Sequence, residues 1–561
     1  MNLQQIFRVA VCAAIVALCV CGAGLFPAQP VAGKETMPAG LQGAAALDQL
    51  KRDGQYDSLQ AAMNQAYKTE TKDGEAAYPL TINPIFSLQQ KLLAADGATG
   101  DIFGSSVALS GNTAVIGAMR DDVTQQDQGS VYVFVRNGAA WTLQQKITAS
   151  DGAAGDYFGL AVALSGDTLV VGSPLDNIGA KFDQGSVYVF TRSGAVWTQK
   201  QKIINSEGAA FDSFGVAVAL SDDTLMVSAS GADIGPNADQ GLVYVFMRNG
   251  AEWTQVQKFT ASDGGANDFF GDVIALSGET IVVGQKYDVI GANFNQGSAY
   301  VFMRIGGFWT EQQKLTASDG AANDFFGAAV ALKDETLVVG AFGADIGANN
   351  NQGSVYIFLR NGAVWTEQQK LTAGDGGAAD VFGWAVATNG PDVVVGAVGD
   401  AIGGNAWQGS VYVFTRNGAV WTERQKITAG DGAAEDSLGV PLALSDDTLL
   451  AGAQGDNIGA NLNQGSAYIF TIATCSQLML DPQTLPNGVM GVPYSETLTA
   501  TGGSEPYTFV AQAGLPPGLS LNANGLLSGT PTEDGNFNIR LRIVDANGCS
   551  SGADISITIE K

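Results

Sequence analysis

The sequence contains no histidine. That removes the commonest general base, the Ser-His and Cys-His nucleophile pairs, and most zinc sites. Cysteine is scarce too, with five in 561 residues, and three of these (Cys12, Cys19, Cys21) fall in the N-terminal apolar stretch. No Cys/His cluster has metal spacing, and no glycine-rich phosphate loop precedes a helix. Charged residues are only 15% of the chain, and basic ones are the minority, 28 against 55 acidic, for a formal net charge of −27. Such a chain repels phosphate backbones and anionic membrane surfaces, which argues against a nucleic-acid partner. The chemistry left open is carboxylate-only catalysis of the glycosidase kind.

Glycine is plentiful, at 73 residues, a composition suited to short strands joined by tight turns. One pattern recurs seven times: an Asp and, two residues on, Phe-Gly. The pairs are Phe103-Gly104, Phe158-Gly159, Phe214-Gly215, Phe270-Gly271, Phe326-Gly327, Phe382-Gly383 and a degenerate Leu438-Gly439, spaced 55 residues once and 56 five times. A fixed period of this size marks a propeller or solenoid. Each repeat holds four strand-like runs, here called A to D. In the second they are 158–164, 168–172, 186–191 and 197 to about 205. Short turns such as Ser165-Gly166-Asp167 join A to B. Asn-Gly pairs such as Asn137-Gly138 and Asn361-Gly362 join C to D and supply the φ > 0 pair of a two-residue hairpin. The repeat is therefore a four-stranded antiparallel meander, one propeller blade.

The D run reads Trp-Thr-x-x-x-Lys, from Trp141 with Lys146 to Trp421 with Lys426. The seventh repeat lacks it, while Phe86-Ser-Leu-Gln-Gln-Lys91 ahead of the first repeat matches. The N-terminal strand is expected to complete the last blade and remove the open edges, with the lysines guarding the outer strands against stray pairing.

Phe-Gly on strand A, the Val338–Ala341 type of run on B and Gly185–Phe190 on C resemble the FG-GAP family, the repeat of integrin α-subunit propellers and many bacterial surface proteins. The resemblance covers residues 86–472 and implies an all-β, seven-bladed β-propeller used for adhesion or ligand binding. That family's calcium loop, Asp-x-Asp-x-Asp-Gly between A and B, is absent: the turn is as short as Lys333-Asp334-Glu335. Residues 475–561 change character, with Gly-Val-Pro-Tyr494, Gly-Leu-Pro-Pro-Gly-Leu519 and Leu-Ser-Gly-Thr-Pro531 ahead of alternating strands. They look like the Ig-like (cadherin-like) domains of bacterial surface proteins and read as a small β-sandwich.

Residues 1–32 read as an export signal: Arg8, an apolar run from Val9 to Val20, then small residues from Ala28. An uncleaved anchor is the alternative. Residues 33–85 are a linker or propeptide with one short helix, marked by a capping box at Asp57–Gln60 and by Leu59, Met63 and Tyr67 at helical spacing. The two cysteines beyond the signal, Cys475 and Cys549, read as a disulfide closing a loop of about 75 residues, worth roughly 4 kcal/mol in the chain-entropy model. Two free buried thiols are the alternative.

Alternate connections share an end of a meander, so the D–A and B–C loops form one face, and acids concentrate there. Each D–A loop has an acid and, five residues on, an Asp, as in Asp151 and Asp156, Asp263 and Asp268, Asp319 and Asp324. Each B–C loop adds one, such as Asp176, Asp288, Asp345 and Asp400, with a one-residue offset in repeats three and five. These acids suit either Asx turns or Ca²⁺, which takes roughly six to eight oxygens; no cofactor is required. Where other repeats carry Asp, Asn or Gln before Gln-Gly, the sixth has Trp407, and Trp384 follows its Phe-Gly. With Asp400 these form a candidate ligand contact, the alternative being that the indoles plug local gaps. A sevenfold motif is a structural device, whereas an active site needs making once. The expectation is a secreted or surface-exposed, monomeric, non-catalytic protein binding an extracellular protein or glycan. A structural matrix component and a carboxylate-dependent polysaccharide enzyme are the alternatives.

Overall fold

In the computed structural model, residues 86–472, 478–545 and 549–561 are described. The expected signal, the short helix and Cys475 lie outside them. The described residues contain no helix. Residues 86–472 form seven four-stranded antiparallel sheets, one per repeat. In blade two, A is Ala161–Ser165, B Thr168–Ser173, C Ser186–Ser193 and D Val196–Ile204. Strand A starts later than the sequence suggests, its ladder with B opening at Ala161↔Gly172. The last blade has Leu438–Ser445, Thr448–Ala453 and Ser466–Ile472 as A to C. Its D strand is Phe86–Leu92, which pairs antiparallel with C from Phe86↔Ile472 to Leu92↔Ala467. The two ends of the repeat array therefore share one sheet.

B and C are the buried strands. Thr168–Ser173 is buried throughout, and Val187, Tyr188 and Val189 are at most 1% exposed. Each blade's apolar face closes against the next: Val115, Val131, Val133 and Ile147 of blade one pack on Phe158, Leu169, Val171 and Trp197 of blade two. Phe158 meets Tyr188 and Phe190 edge-on, at 5.3 and 6.1 Å between centroids, the arrangement ring quadrupoles favour.

The Phe-Gly pair earns its place at this seam. A Cβ on Gly185 would lie 2.2 Å from the Phe214 carbonyl oxygen, and one on Gly172 would lie 2.0 Å from that of Gly215. The ring closes on the same contacts, Gly465 against Phe103 and Gly452 against Gly104. Backbone bonds cross there as well, with Phe214 N donating to Gln184 O (2.9 Å) and Phe103 N to Gln464 O (2.8 Å).

A second seam runs along the D strands and was not anticipated from the sequence. Each D strand carries a bulge: Val189 pairs with Gln201 and Phe190 with Gln199, leaving Lys200 extra. A bulge re-aims the side chain beside it. The Gln201 carboxamide reaches the next blade, where Nε2 donates to Trp253 O (3.0 Å) and Oε1 accepts from Trp253 N (2.8 Å). Gln90 clamps Trp141 in this way, and Gln425 clamps Phe86. A side-chain amide thus stands in for a neighbouring strand on the outer edge, at all seven seams.

Residues 478–561 form a separate unit. A four-stranded sheet has Gly488–Val489, Ser550–Glu560, Gly535–Val544 and Thr508–Ala513, a three-stranded one has Tyr494–Thr497, Leu526–Gly529 and Leu519–Leu521, and Met479–Asp481 pairs with Thr499–Thr501. The core between the strands is apolar. Leu498, Leu527, Leu541, Ile555 and Ile557 fill the space between them. Cys549 is buried, and its N–H donates to Asp545 Oδ1 (2.8 Å).

Two glycines with φ > 0 separate strain from seam packing. Gly138 (φ 64°) has open space around its Cβ position, whereas Gly465 (φ 82°) meets Phe103 O at 2.0 Å. Gly138→Ala should cost about 1–2 kcal/mol for the left-handed backbone alone. Gly465→Ala should cost roughly 3 kcal/mol more for the clash at ring closure. Urea unfolding of both variants measures the difference, and equal losses would remove the seam's role.

Candidate binding face

The acids of the D–A and B–C loops do gather at one end of each blade, and a lysine collects them. In blade two, Lys202 Nζ lies 2.7 Å from both Asp151 and Asp176. Tyr188, paired with Lys202 across the C–D ladder, donates its hydroxyl to Asp151 (2.9 Å), and Ser186 donates to Asp176 (2.5 Å). The ammonium also sits 5.1 Å from the Tyr188 ring centroid. The same five positions, with the same residue types, meet in blades one, four, six and seven. In blade four they include Asp263, Asp288 and Lys314. In the last blade the lysine is Lys91 of the N-terminal strand, bound to Asp431 (2.6 Å) and Asp456 (2.7 Å). The lysines read as edge guards are therefore counter-ions, their side chains 22–25% exposed in these five blades.

The second Asp of each D–A loop plays another part. Asp156, Asp268 and Asp324 are buried, and each accepts from the backbone N–H three residues earlier: Ala153 (2.6 Å), Gly265 (2.5 Å) and Ala321 (2.8 Å). These are the Asx-type loop locks. Asp345 belongs to neither set. It is exposed and accepts from Asn351 N (2.8 Å), because Ala344 takes the position that Asp176 holds in blade two. Ala232 does the same in blade three. The offset in repeats three and five is thus a loss of the buried acid. Asp319 faces Lys370 (2.7 Å) without a second carboxylate. Among the described residues, no group of three or more acids is arranged to hold a metal ion.

The two kinds of acid titrate in opposite directions. Burial pushes the Asp151 carboxyl up, but the Lys202 ammonium and Tyr188 hydroxyl outweigh it, and the group lies below the usual carboxylate range. Asp156 is dominated by burial, which the Ala153 N–H only partly offsets, and its pKa rises to about 6. Asp268 and Asp324 are also raised by burial.

Asp400 is 5% exposed and lies inside the blade-six network, accepting from Ser410 (2.5 Å) and facing Lys426 (2.7 Å). Trp384 is 41% exposed. It ends a run of rings that crosses three blades: Phe269 to Tyr287 (5.6 Å), Phe325 (6.0 Å), Phe342 (4.9 Å, stacked) and Trp384 (4.6 Å). Trp407 is 44% exposed and has φ 57°. The equivalent residues of the other blades are Asp127, Asp183, Asp239, Asn295, Asn351 and Asn463, all with φ of 50–53°. Asp and Asn adopt this left-handed backbone at lower cost than a bulky side chain does. Phe182, Phe211 and Phe294, each more than 60% exposed, stand on the same loops. In blade three, the change to Ala232 opens a hollow of about 480 Å³ lined by Glu207, Leu242, Tyr244 and Lys258.

The FG-GAP repeat pattern matches residues 86–134, 141–190, 197–246, 253–302, 309–358, 365–414 and 421–470, more than half of the chain. The chain belongs to the FG-GAP repeat family. Residues 477–560 match the family described as "Putative Ig domain". Both domain types are typical of extracellular and surface proteins, and both are typically non-catalytic. No curated protein matches the chain. Among solved structures, Sqt1 of Chaetomium thermophilum aligns at 15% identity over 66% of this chain and 83% of its own, with a TM-score of 0.40. A "putative alpha-galactosidase/melibiase" of Bacteroides fragilis aligns at 23% identity over 15% of this chain and 17% of its own, with a TM-score of 0.13. The FG-GAP chain therefore spans less than a fifth of that protein's length. Among the described residues no helix is long and apolar enough to cross a membrane.

The opposed titrations give the propeller a pH signature. Stability held by groups like Asp151 is present above their unfolded value of 3.8 and lost as pH falls below it. Asp156 works the other way: its contribution is full below 3.8 and is lost as pH rises through about 6. Melting temperature should therefore rise as pH falls from 7.5 to about 5 and drop sharply below about 4. Asp156→Asn, which keeps an acceptor for Ala153 N, should flatten the first of these slopes in calorimetry.

Proposed function

We propose that this FG-GAP protein is an exported, non-catalytic binding protein. Its D–A/B–C face docks an extracellular protein or glycan, with Trp407 as the anchor. The observation that carries this reading is the left-handed backbone of Trp407. Strain of about 1–2 kcal/mol is kept at one blade out of seven, where Asn would relieve it and leave no indole at the surface. The left-handed residue before each Phe-Gly differs, since it recurs in all seven blades and so belongs to the frame. A half-exposed Trp on an acidic loop face offers a flat apolar surface with a polar edge, suited to a sugar face or a partner's side chain.

The acids support binding in place of catalysis. Each is engaged by a lysine, by a hydroxyl or by its own loop, in a pattern repeated around the ring. The lysine supplies the positive charge that a calcium ion would otherwise bring, so binding needs no added cation. In the Ig-like unit a Cys475–Cys549 disulfide would brace the strands on either side of Asp545.

Trp407→Asn tests the reading. Melting should stay within about 1 kcal/mol of the parent or improve, because strain is removed. Retention on a glycan array and on immobilised extracellular-matrix proteins should fall at least tenfold for whichever ligand the parent binds. A variant that binds as well as the parent would remove Trp407 from the interface.

A further inference from the structure

Blades three and five both lack the buried B–C acid, but they differ in what surrounds the change. Blade three changes its partner as well. Leu242 replaces the serine, and Asn205 donates to the Tyr244 hydroxyl (2.7 Å), so the serine donor is lost and the tyrosine is paired with an amide. Blade five keeps every donor. Ser354 is fully buried, and its Oγ has no hydrogen-bond partner. Lys370 Nζ holds the same 5.1 Å from the Tyr356 ring centroid that Lys202 holds from Tyr188. The loop backbone is also unchanged. Ala344 N donates to Ala341 O (3.2 Å) as Asp176 N does to Ser173 O (3.2 Å), and Gly353 N donates to Ala344 O (2.9 Å) as Gly185 N does to Asp176 O (3.0 Å). In the five complete blades, one carboxylate oxygen accepts from the serine hydroxyl and lies 2.6–2.7 Å from the ammonium.

We propose that blade five binds a small monovalent anion, a halide or a formate-sized carboxylate, between Ser354 Oγ and Lys370 Nζ. In the complete blades the serine hydroxyl and the ammonium at these two positions meet at one Asp Oδ2. A buried hydroxyl without a partner is unfavourable, and an acceptor there removes that cost. The charge also balances. In a complete blade the lysine faces two carboxylates; in blade five it faces Asp319 alone, so one anion restores the pattern of its neighbours. Size sets the selectivity, because Asp→Ala frees only a carboxylate's volume, on the order of one or two waters. Entry is past Lys370 and Asp319, whose side chains are 26% and 55% exposed.

The test compares chloride, bromide, formate and gluconate at constant ionic strength on the purified protein. Chloride and formate should each raise the melting temperature over gluconate, by about 2 °C per tenfold increase above the dissociation constant. Anomalous diffraction from a bromide-soaked crystal should place one bromide between Ser354 and Lys370. Ala344→Asp supplies the carboxylate covalently, and it should abolish both the halide shift and the bromide peak. If that variant fails to fold, Ser354→Ala serves in its place and should weaken the halide shift at least tenfold in concentration. A bromide map with no peak between the two donors would overturn the proposal. So would an Ala344→Asp protein that keeps the parent's chloride response.

Discussion

The propeller depends on two backbones meeting with no side chain between them. At each seam a glycine within strand B or just before strand C lies against the carbonyl of the next blade's Phe-Gly, at distances that exclude even a methyl group. That contact sets the distance between blades, and the packing of valines and aromatic rings between neighbouring sheets follows from it. The outer glutamine clamps hold the same blades together at the other edge of each sheet. Between these two seams the sheets have little freedom to slide, which suits a frame that presents loops at one end.

The lysine network shows how an acidic chain stays folded at its most acidic face. Of the acids gathered at this end of the five complete blades, one is paired at the surface, one is buried with the lysine, and one locks its own loop. These roles come from position within the repeat, so the same residue type is pulled toward ionisation in one place and toward protonation in another. Blade three accommodates the lost acid with a larger apolar neighbour, and blade five leaves its surroundings as they were.

Much of this was legible in the sequence because the features that repeat are those that backbone geometry requires. Phe-Gly, Asn-Gly and the displaced D strand at Phe86 gave the blade count, the hairpins and the closure. The acids of the D–A and B–C loops were visible as a pattern, but their partner was not, since a lysine on an outer strand reads equally well as a solvated charge. The glutamine before each lysine went unnoticed for the same reason: only the bulge at residues such as Lys200 turns it toward the next blade. The strain at Trp407 is a matter of torsion angle, to which the sequence pointed only through the Asp and Asn of its counterparts.

The Phe86↔Ile472 ladder also orders events in time. The strand made first is the last to find its partner, since nearly four hundred residues must be synthesised before Ile472 exists. Until the two meet, blade seven has three strands, its C strand is an open edge, and Phe86 to Leu92 is an unpaired ribbon. A ring closed in this way commits late and cooperatively, and a chain cut short before the seventh repeat has no shorter ring to fall back on.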